Sequence, residues 1–137
     1  MALRIINWNC GGILNKNIEI LRLINDNPDV ICISETKLNS LKQFSCPPNF
    51  NLIRKDRGGN SSGGGLVTYI RSNLQFEEIS CQFQQYGIEI QGLKIFKGRE
   101  YLNVFNVYIP PAVESLLDLR LGLNLLFQFF SSFGKMW

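Results

Sequence analysis

A single glutamate follows one of the most apolar stretches in the chain. Glu35 stands two residues after the run Val-Ile-Cys-Ile at residues 30–33. A carboxylate at the end of a buried strand costs several kcal/mol unless a cation or hydrogen-bond donors satisfy it. Glu35 is therefore our first candidate for a metal ligand.

Two other polar side chains end apolar runs in the same way. Asn9 follows residues 3–8, and Tyr108 stands near the end of residues 103–109, where prolines then prevent further strand pairing. Ligands of open α/β sheets bind beyond the carboxyl ends of the strands, so these side chains are predicted to meet at one edge. Taken alone, Asn9 is more simply a turn former, and Tyr108 is more simply an ordinary packing residue.

The elements that would position these side chains begin with a strand, a helix and a strand. Residues 2–9 and 30–33 have strand composition, and residues 16–27 carry apolar side chains at helical spacing. Asn15 or Asn17 is expected to cap the first turn of this helix. The spacing is typical of a right-handed βαβ unit.

Short strands replace this pattern from about residue 50. Residues 50–54, 66–71, 88–96 and 101–109 are rich in Ile, Val, Phe and Tyr. Short polar or glycine-rich turns separate the first two of these strands and the last two. We therefore predict two hairpins.

The glycine-rich connection at residues 58–65 does not have the pattern of a nucleotide site. Gly58 and Gly63 have the first spacing of a P-loop, but Gly64 and Gly65 stand where Lys and Ser or Thr are required. We expect no small-molecule nucleotide site. A flexible hairpin connection and a loop that contacts a polyanion are both open interpretations.

Basic residues near that loop suggest the polyanion. Arg54, Lys55 and Arg57 precede it, and Arg71 ends the next predicted strand, although Asp56 offsets part of the charge. Lys and Arg side chains neutralise the phosphates of a nucleic acid. We predict Arg54, Lys55, Arg57 and Arg71 as nucleic-acid-binding residues.

Length, composition and charge are those of one globular domain. The chain has 137 residues, of which 45% are hydrophobic and 18% are charged, with a net charge of +3. This length permits a domain with its own core, and the composition is unlike that of disordered segments. So small a charge permits a nucleic acid as partner without requiring one.

Cysteine use and the absence of a secretory signal indicate a reducing compartment. The four cysteines, Cys10, Cys32, Cys46 and Cys81, form no Cys-x-x-Cys pair, and the chain has no histidine to complete a zinc site. The first residues lack the basic and apolar regions of a secretory signal, so we expect a nuclear or cytoplasmic location. Residues 121–133 are shorter than the roughly 20 residues that span a bilayer, so no membrane is expected.

The ordered set of segments at residues 7–11, 33–37, 63–71 and 106–111 resembles a known family. It is similar to the amino-terminal part of the endonuclease/exonuclease/phosphatase superfamily, and within it to the endonuclease domain of non-LTR retrotransposons. The resemblance implies an α/β fold, an α+β sandwich of two sheets in four layers, incomplete at its C-terminus.

The resemblance also implies an activity, a cofactor and a partner. Members of this kind are phosphodiesterases that use Mg²⁺, or Mn²⁺, to nick DNA so that the freed 3′ hydroxyl primes reverse transcription. On this resemblance Glu35 would hold the metal, Asn9 would orient the metal or the phosphate, and Tyr108 would hydrogen-bond the scissile phosphate. Such a donor set suits Mg²⁺, which prefers one or two carboxylates plus water and substrate oxygens.

Two later family segments, Gly-Asp-Phe-Asn and Ser-Asp-His, do not occur in these 137 residues. We therefore expect a partial domain over residues 1–111 and a divergent or truncated apolar helical tail over residues 112–137. Catalytic groups that act as a unit fail together, so turnover is expected to be lower by several orders of magnitude. An incomplete sandwich would also expose apolar surface and strand edges, which favours self-association.

Three functions stay open from the sequence. The chain is an active nicking endonuclease, a catalytically inactive module that binds DNA through its basic residues, or a decayed fragment with little stable fold. An apurinic-endonuclease-like activity is a further alternative within the same family.

Overall fold

The computed structural model describes residues 2–57, 63–110 and 116–133. The strands of the first sheet are β1 (Ile5–Asn9), β2 (Val30–Ser34), β3 (Phe50–Lys55) and β4 (Leu66–Arg71), in the order β1-β2-β4-β3. The second sheet consists of β5 (Gln75–Ile79), β6 (Glu89–Lys97) and β7 (Glu100–Tyr108), in that order. The helices are α1 (Asn17–Asn25), α2 (Leu116–Phe133) and a short 3-10 turn (Gln84–Tyr86).

The predicted strand–helix–strand unit is confirmed. Strands β1 and β2 pair in parallel, which places Asn9 beside Ser34 at the carboxyl ends of both strands. The expected capping of α1 by Asn15 or Asn17 is wrong, because Lys16 precedes the helix and no side chain caps it. Asn15 instead turns the chain with a φ of +66°, a left-handed conformation that asparagine tolerates better than most residues.

The two predicted hairpins are also confirmed. Strand β3 pairs antiparallel with β4, and β6 pairs antiparallel with β7, with ends within two residues of the predicted ones. The connection between β3 and β4 at residues 58–62 lies outside the described residues. Strand β5 was not predicted, because Gln75–Ile79 has three polar residues among five and only Phe76 of this strand packs on the inner core.

The inner core fills the space between the two sheets. Val30 and Cys32 of β2 and Ile70 of β4 pack with Leu93 and Ile95 of β6. A fully buried aliphatic side chain stabilises the fold by about 1.5–3 kcal/mol, so this layer holds the sheets together. The alternation of inward and outward side chains leaves a second apolar face on each sheet.

One helix covers each of these outer faces. Ile20 of α1 packs on Ile31 and Ile33 of the first sheet. Leu126 of α2 belongs to a cluster with Ile90 of the second sheet, and aromatic side chains of the same helix surround it. The resulting order is helix, sheet, sheet, helix, so the predicted four-layer α/β sandwich is confirmed.

Buried polar groups also join the two sheets. The Lys55 ammonium group donates hydrogen bonds to the backbone carbonyls of Cys81 at 2.9 Å and Ile90 at 2.7 Å. The Thr68 hydroxyl of the first sheet donates to the Gln91 side chain of the second at 2.6 Å. Polar groups removed from water need such partners. Ile90 and Gln91 lie in the second sheet, and Cys81 lies just after its first strand.

Helix α2 covers the second sheet but leaves apolar residues on its other side. Leu116, Leu117 and Phe127 are 79%, 77% and 62% exposed. Within residues 2–57, 63–110 and 116–133, no helix is long and apolar enough to cross a membrane. Strand β7 is an edge strand of its sheet, so both expected causes of self-association, apolar surface and a strand edge, are present among the described residues.

A substitution in α2 tests whether this helix is an integral layer of the fold. Leu126 is 3% exposed, so Leu126→Ala is expected to lower the free energy of unfolding by about 2–5 kcal/mol. The matched control is Leu117→Ala on the same helix, which should change it by less than about 0.5 kcal/mol. Urea denaturation followed by circular dichroism measures both, and equal effects would show that α2 does not pack on the sheet.

Candidate active site

Two of the three candidate site residues meet across the two sheets. Glu35 follows β2 of the first sheet, and Tyr108 is the last residue of β7 in the second. The Tyr108 hydroxyl donates a hydrogen bond to Oε1 of Glu35. Both side chains are half-buried, so the pair lies where a ligand can reach it from the end of the sandwich.

The backbone at Glu35 has an unusual conformation that its neighbours hold in place. Glu35 and Lys37 have φ angles of +54° and +57°. The Glu35 carbonyl accepts a hydrogen bond from the Gly12 N–H at 2.7 Å, and the Lys37 N–H donates to the Gly64 carbonyl at 2.7 Å. A left-handed residue other than glycine costs on the order of 1–2 kcal/mol and persists where surrounding contacts determine it. Such strain is found preferentially at functional sites.

Two glycines permit the close packing beside this turn. Gly64 and Gly65 have φ angles of +65° and +94°. A Cβ at Gly64 would lie 2.4 Å from the Arg57 guanidinium group, and one at Gly65 would lie 2.4 Å from the Thr36 hydroxyl. At these two described positions the glycines accommodate the chain's own side chains.

Sequence reasoning missed Glu89, a second carboxylate at this site. Its Oε1 accepts a hydrogen bond from the Gly65 N–H at 2.6 Å, and its Oε2 forms an ion pair with Arg57 at 2.7 Å. Glu89 also lies directly opposite Tyr108 in the β6–β7 pairing. The hairpin contained the signal, because the pairing of Lys97 with Glu100 fixes the register that puts residue 89 opposite residue 108.

The surroundings of Tyr108 keep its hydroxyl protonated. Partial burial, the hydrogen bond to Glu35 and the negative charges of Glu35 and Glu89 raise the pKa of Tyr108 to about 12, against the smaller opposing effect of Arg57. Ionisation of the phenol would place another negative charge beside two carboxylates. At neutral pH Tyr108 is therefore a hydrogen-bond donor.

Asn9 lies at the same sheet edge but makes a local contact. Its Oδ1 accepts a hydrogen bond from the Gly11 N–H at 3.3 Å, which is the geometry of a turn former. The side chain is exposed at the end of β1, the strand next to β2, and neighbouring strands lie about 4.8 Å apart. Asn9 therefore lies near Glu35, but the side-chain hydrogen bond described for Asn9 is with Gly11 and not with Glu35.

The donor set suits a hard cation better than zinc. Glu35 supplies a carboxylate and Asn9 an amide oxygen, and Mg²⁺ binds such oxygens while it keeps several waters. Burial raises the pKa of the Cys10 thiol, which donates to the Glu35 carbonyl at 3.4 Å. In the part of the chain that the structure describes, no three His, Cys, Asp or Glu side chains converge on one point.

Of the four predicted basic residues, Arg57 alone stands beside Tyr108 and Glu89. Arg54 forms an ion pair with Asp56 at 2.7 Å and donates to the backbone carbonyl of Asn39 at 2.9 Å. The predicted basic cluster is therefore split in the structure. Arg57 lies at the site, whereas Arg54 stabilises a neighbouring loop.

The other two basic residues are also held by hydrogen bonds within the chain. Lys55 donates to two carbonyls between the sheets, as described above. Lys55 pairs with Leu66 at the start of β4, and Arg71 is the last residue of the same strand. At 3.3 Å per residue, the two ends of β4 lie about 16 Å apart. Arg71 donates to the Pro28 carbonyl at 2.6 Å and stacks 4.9 Å from the centre of the Phe50 ring. The four residues do not form one surface.

The fold is a two-sheet sandwich between outer helices, which is the class that the sequence resemblance implied. A carboxylate and a phenol are hydrogen-bonded across its strand ends. The sequence matches the model of the Endonuclease/Exonuclease/phosphatase family over residues 6–129. The chain therefore belongs to this family, and the match extends into α2. No curated protein sequence matches the chain.

Solved structures share the fold at low sequence identity. An AP endonuclease, LMAP, from Leishmania major is 17% identical with a TM-score of 0.63, covering 88% of this chain and 44% of that one. D. rerio TDP2 complexed with single strand DNA product is 15% identical with a TM-score of 0.66, covering 94% and 54%. An AP endonuclease from Archaeoglobus fulgidus is 18% identical with a TM-score of 0.56, covering 99% and 52%. The chain thus spans about half the length of these proteins.

A pair of glycine substitutions tests the close packing beside Glu35. Gly65→Ala is expected to lower the free energy of unfolding by well over 1 kcal/mol, because it adds a steric clash to a left-handed backbone. Gly98 has a φ of +64° but open space around it, so Gly98→Ala measures the backbone cost alone, on the order of 1–2 kcal/mol. Thermal unfolding of both variants gives the comparison, and equal losses would refute the clash.

Proposed function

We propose that this chain carries the amino-terminal part of a metal-dependent phosphodiesterase site of the retrotransposon endonuclease type, which nicks DNA. The observation that carries the proposal is the hydrogen bond between Tyr108 and Glu35 across the two sheets. It brings a carboxylate and a protonated phenol to one point, and membership of the endonuclease/exonuclease/phosphatase family supports phosphodiester chemistry there.

Each proposed role follows from the donor or acceptor character of the residue. Glu35 would hold Mg²⁺ or Mn²⁺, with Asn9 supplying an amide oxygen to the metal or an amide N–H to the phosphate. The metal would stabilise charge on the phosphate during in-line attack. Tyr108 has one proton to donate, so a bound phosphate oxygen would replace Glu35 as its acceptor and release the Glu35 carboxylate.

DNA is the proposed partner. D. rerio TDP2 was solved with single strand DNA product, and the 3′ phosphatase NExo from Neisseria was solved bound to product DNA hairpin. Of the four predicted basic residues, Arg57 is best placed to contact a phosphate near Tyr108, although its ion pair with Glu89 at 2.7 Å offsets part of its charge. DNA contacts by Arg54, Lys55 and Arg71 would require them to exchange hydrogen bonds that they make within the chain.

We also propose that this polypeptide is a poor enzyme. The 137 residues contain no histidine and neither of the two later family segments, which on the family resemblance supply the groups that position and activate the attacking water. The partial domain at residues 1–111 and the divergent tail at residues 112–137 remain part of this proposal. A non-catalytic DNA-binding fragment or a decayed pseudo-enzyme is the main alternative.

An apurinic-endonuclease-like activity is a second candidate within the family. Two AP endonucleases, from Leishmania major and Archaeoglobus fulgidus, are among the solved structures that share the fold. At 17% and 18% identity this likeness concerns the fold, so a damaged-DNA substrate is tested beside an intact one.

Location and assembly complete the proposal. All four cysteines are free, which suits the reducing conditions of a nucleus or cytoplasm. The exposed leucines of α2 and the edge of β7 favour association between copies. A sharp monomeric peak with cooperative unfolding would contradict that part of the proposal.

Plasmid nicking tests the activity. The chain is expected to convert supercoiled plasmid slowly to the open circle in Mg²⁺, and Glu35→Ala should abolish the conversion. Tyr108→Phe should lower the rate by about 10²–10³, the usual effect of losing one donor to a developing charge. The matched control is Glu78→Ala, which removes an exposed carboxylate from β5 and should leave the rate unchanged. Equal rates in Glu35→Ala and the unaltered chain would overturn the proposed site.

Salt dependence of binding tests the role of Arg57. In a plot of log affinity against log salt concentration, Arg57→Ala should reduce the slope by about 1, the value for one lost phosphate contact. Arg71→Ala removes an equal charge from the other end of β4 and should leave the slope unchanged. The measurement is fluorescence anisotropy with a labelled DNA duplex, and identical slopes in both variants would remove Arg57 from the proposed interface.

A further inference from the structure

A buried amide joins the two sheets close to the Tyr108–Glu35 pair. Asn106 of β7 is 4% exposed. Its Nδ2 donates hydrogen bonds to the backbone carbonyls of Ile33 at 3.0 Å and Val67 at 3.3 Å. These carbonyls belong to neighbouring strands of the first sheet, β2 and β4. One side chain of the second sheet therefore contacts two strands of the first.

The position of Asn106 links it to the site. Asn106 and Tyr108 are two residues apart on one strand, so their side chains point to the same face. Ile33 and Glu35, their respective partners, are also two residues apart along the chain. From this geometry we infer that Asn106 is a positioning residue, which fixes β7 over β2 so that the Tyr108 hydroxyl meets Glu35. The inference rests on the proposed function only in taking this pair as the reactive site.

Asparagine has the chemistry that this role requires. Its amide carries two N–H donors, and a carbonyl oxygen has two lone pairs, so Ile33 and Val67 can accept from Asn106 and from the sheet ladder together. Hydrogen bonds are directional, whereas apolar contacts such as those of Leu93 and Ile95 tolerate sliding. An aliphatic residue at position 106 would fill the space without setting the register of the two sheets.

Gln91 provides a matched control on the neighbouring strand. It lies directly opposite Asn106 in the β6–β7 pairing and is 6% exposed. It accepts a hydrogen bond from Thr68 at 2.6 Å and donates one to the Ile53 carbonyl at 3.1 Å. Gln91 thus resembles Asn106 in burial and in joining the sheets, but its partners lie on β3 and β4, away from the strand that leads to Glu35.

Fluorine NMR of the chain labelled with 3-fluorotyrosine tests the inference directly. The Tyr108 resonance is identified by its loss in Tyr108→Phe, and Glu35→Gln shows how far it moves when its carboxylate partner is replaced. Asn106→Leu, or Asn106→Ala where packing requires the smaller side chain, should move the resonance by at least about half that distance. Gln91→Leu should leave it within its linewidth. Both substitutions should lower the unfolding midpoint by several degrees, as loss of a buried hydrogen bond does.

The outcomes separate this inference from the proposed function. An unmoved Tyr108 resonance in a folded Asn106 variant, or an equal movement in Gln91→Leu, would reduce Asn106 to a structural residue. The spectra need neither metal nor DNA, so a chain that fails to nick plasmid would refute the proposed function and leave the positioning role measurable. Where nicking is observed, Asn106→Leu should lower kcat by about tenfold or more with KM unchanged, because misplacement acts on the reacting geometry.

Discussion

The register between the two sheets depends on buried hydrogen bonds that lie in one half of the space between them. In the half away from the site, Val30 of β2 packs with Leu93 and Ile95 of β6. These apolar contacts exclude water but have no preferred direction. Toward the site, Asn106 donates to two carbonyls of the opposite sheet. Gln91 and Lys55 also make hydrogen bonds to the opposite sheet there. The apolar half supplies the larger share of the stability, and the polar half determines which strand ends face each other.

The fold was more predictable from the sequence than the site. Apolar runs at residues 30–33 and 66–71 and the helical spacing at residues 16–27 reflect burial, which leaves a periodic pattern that can be read directly. Strand β5 escaped because most of its side chains face solvent, so pairing with β6 and not burial makes it a strand. Glu35 and Tyr108 were identified because polar residues at strand ends contrast with apolar neighbours. Their hydrogen bond joins residues 73 positions apart, and no local pattern contains such a contact.

Charged residues show the same limit most clearly. Arg54, Lys55 and Arg57 are close in sequence, which predicted one basic surface. In the structure they serve three different partners: Asp56 and a loop, two carbonyls between the sheets, and Glu89 at the site. Alternation along β3 sends Arg54 and Lys55 to opposite faces, so these neighbours in sequence are separated in space. Arg57 lies two residues beyond the end of this strand. Glu89 shows the converse, since it is distant in sequence from Arg57 and contacts it directly.

Strand β7 carries both Asn106 and Tyr108, and among the described residues it pairs with β6 alone. Its other edge presents backbone N–H and C=O groups that another strand can join. A polypeptide added there would extend the sheet through the strand that holds the phenol and the buried amide, and would change the local twist and the access of water to both. Any strand that pairs at that edge would therefore bond to the backbone of the strand that carries Tyr108, and so would lie beside the candidate site.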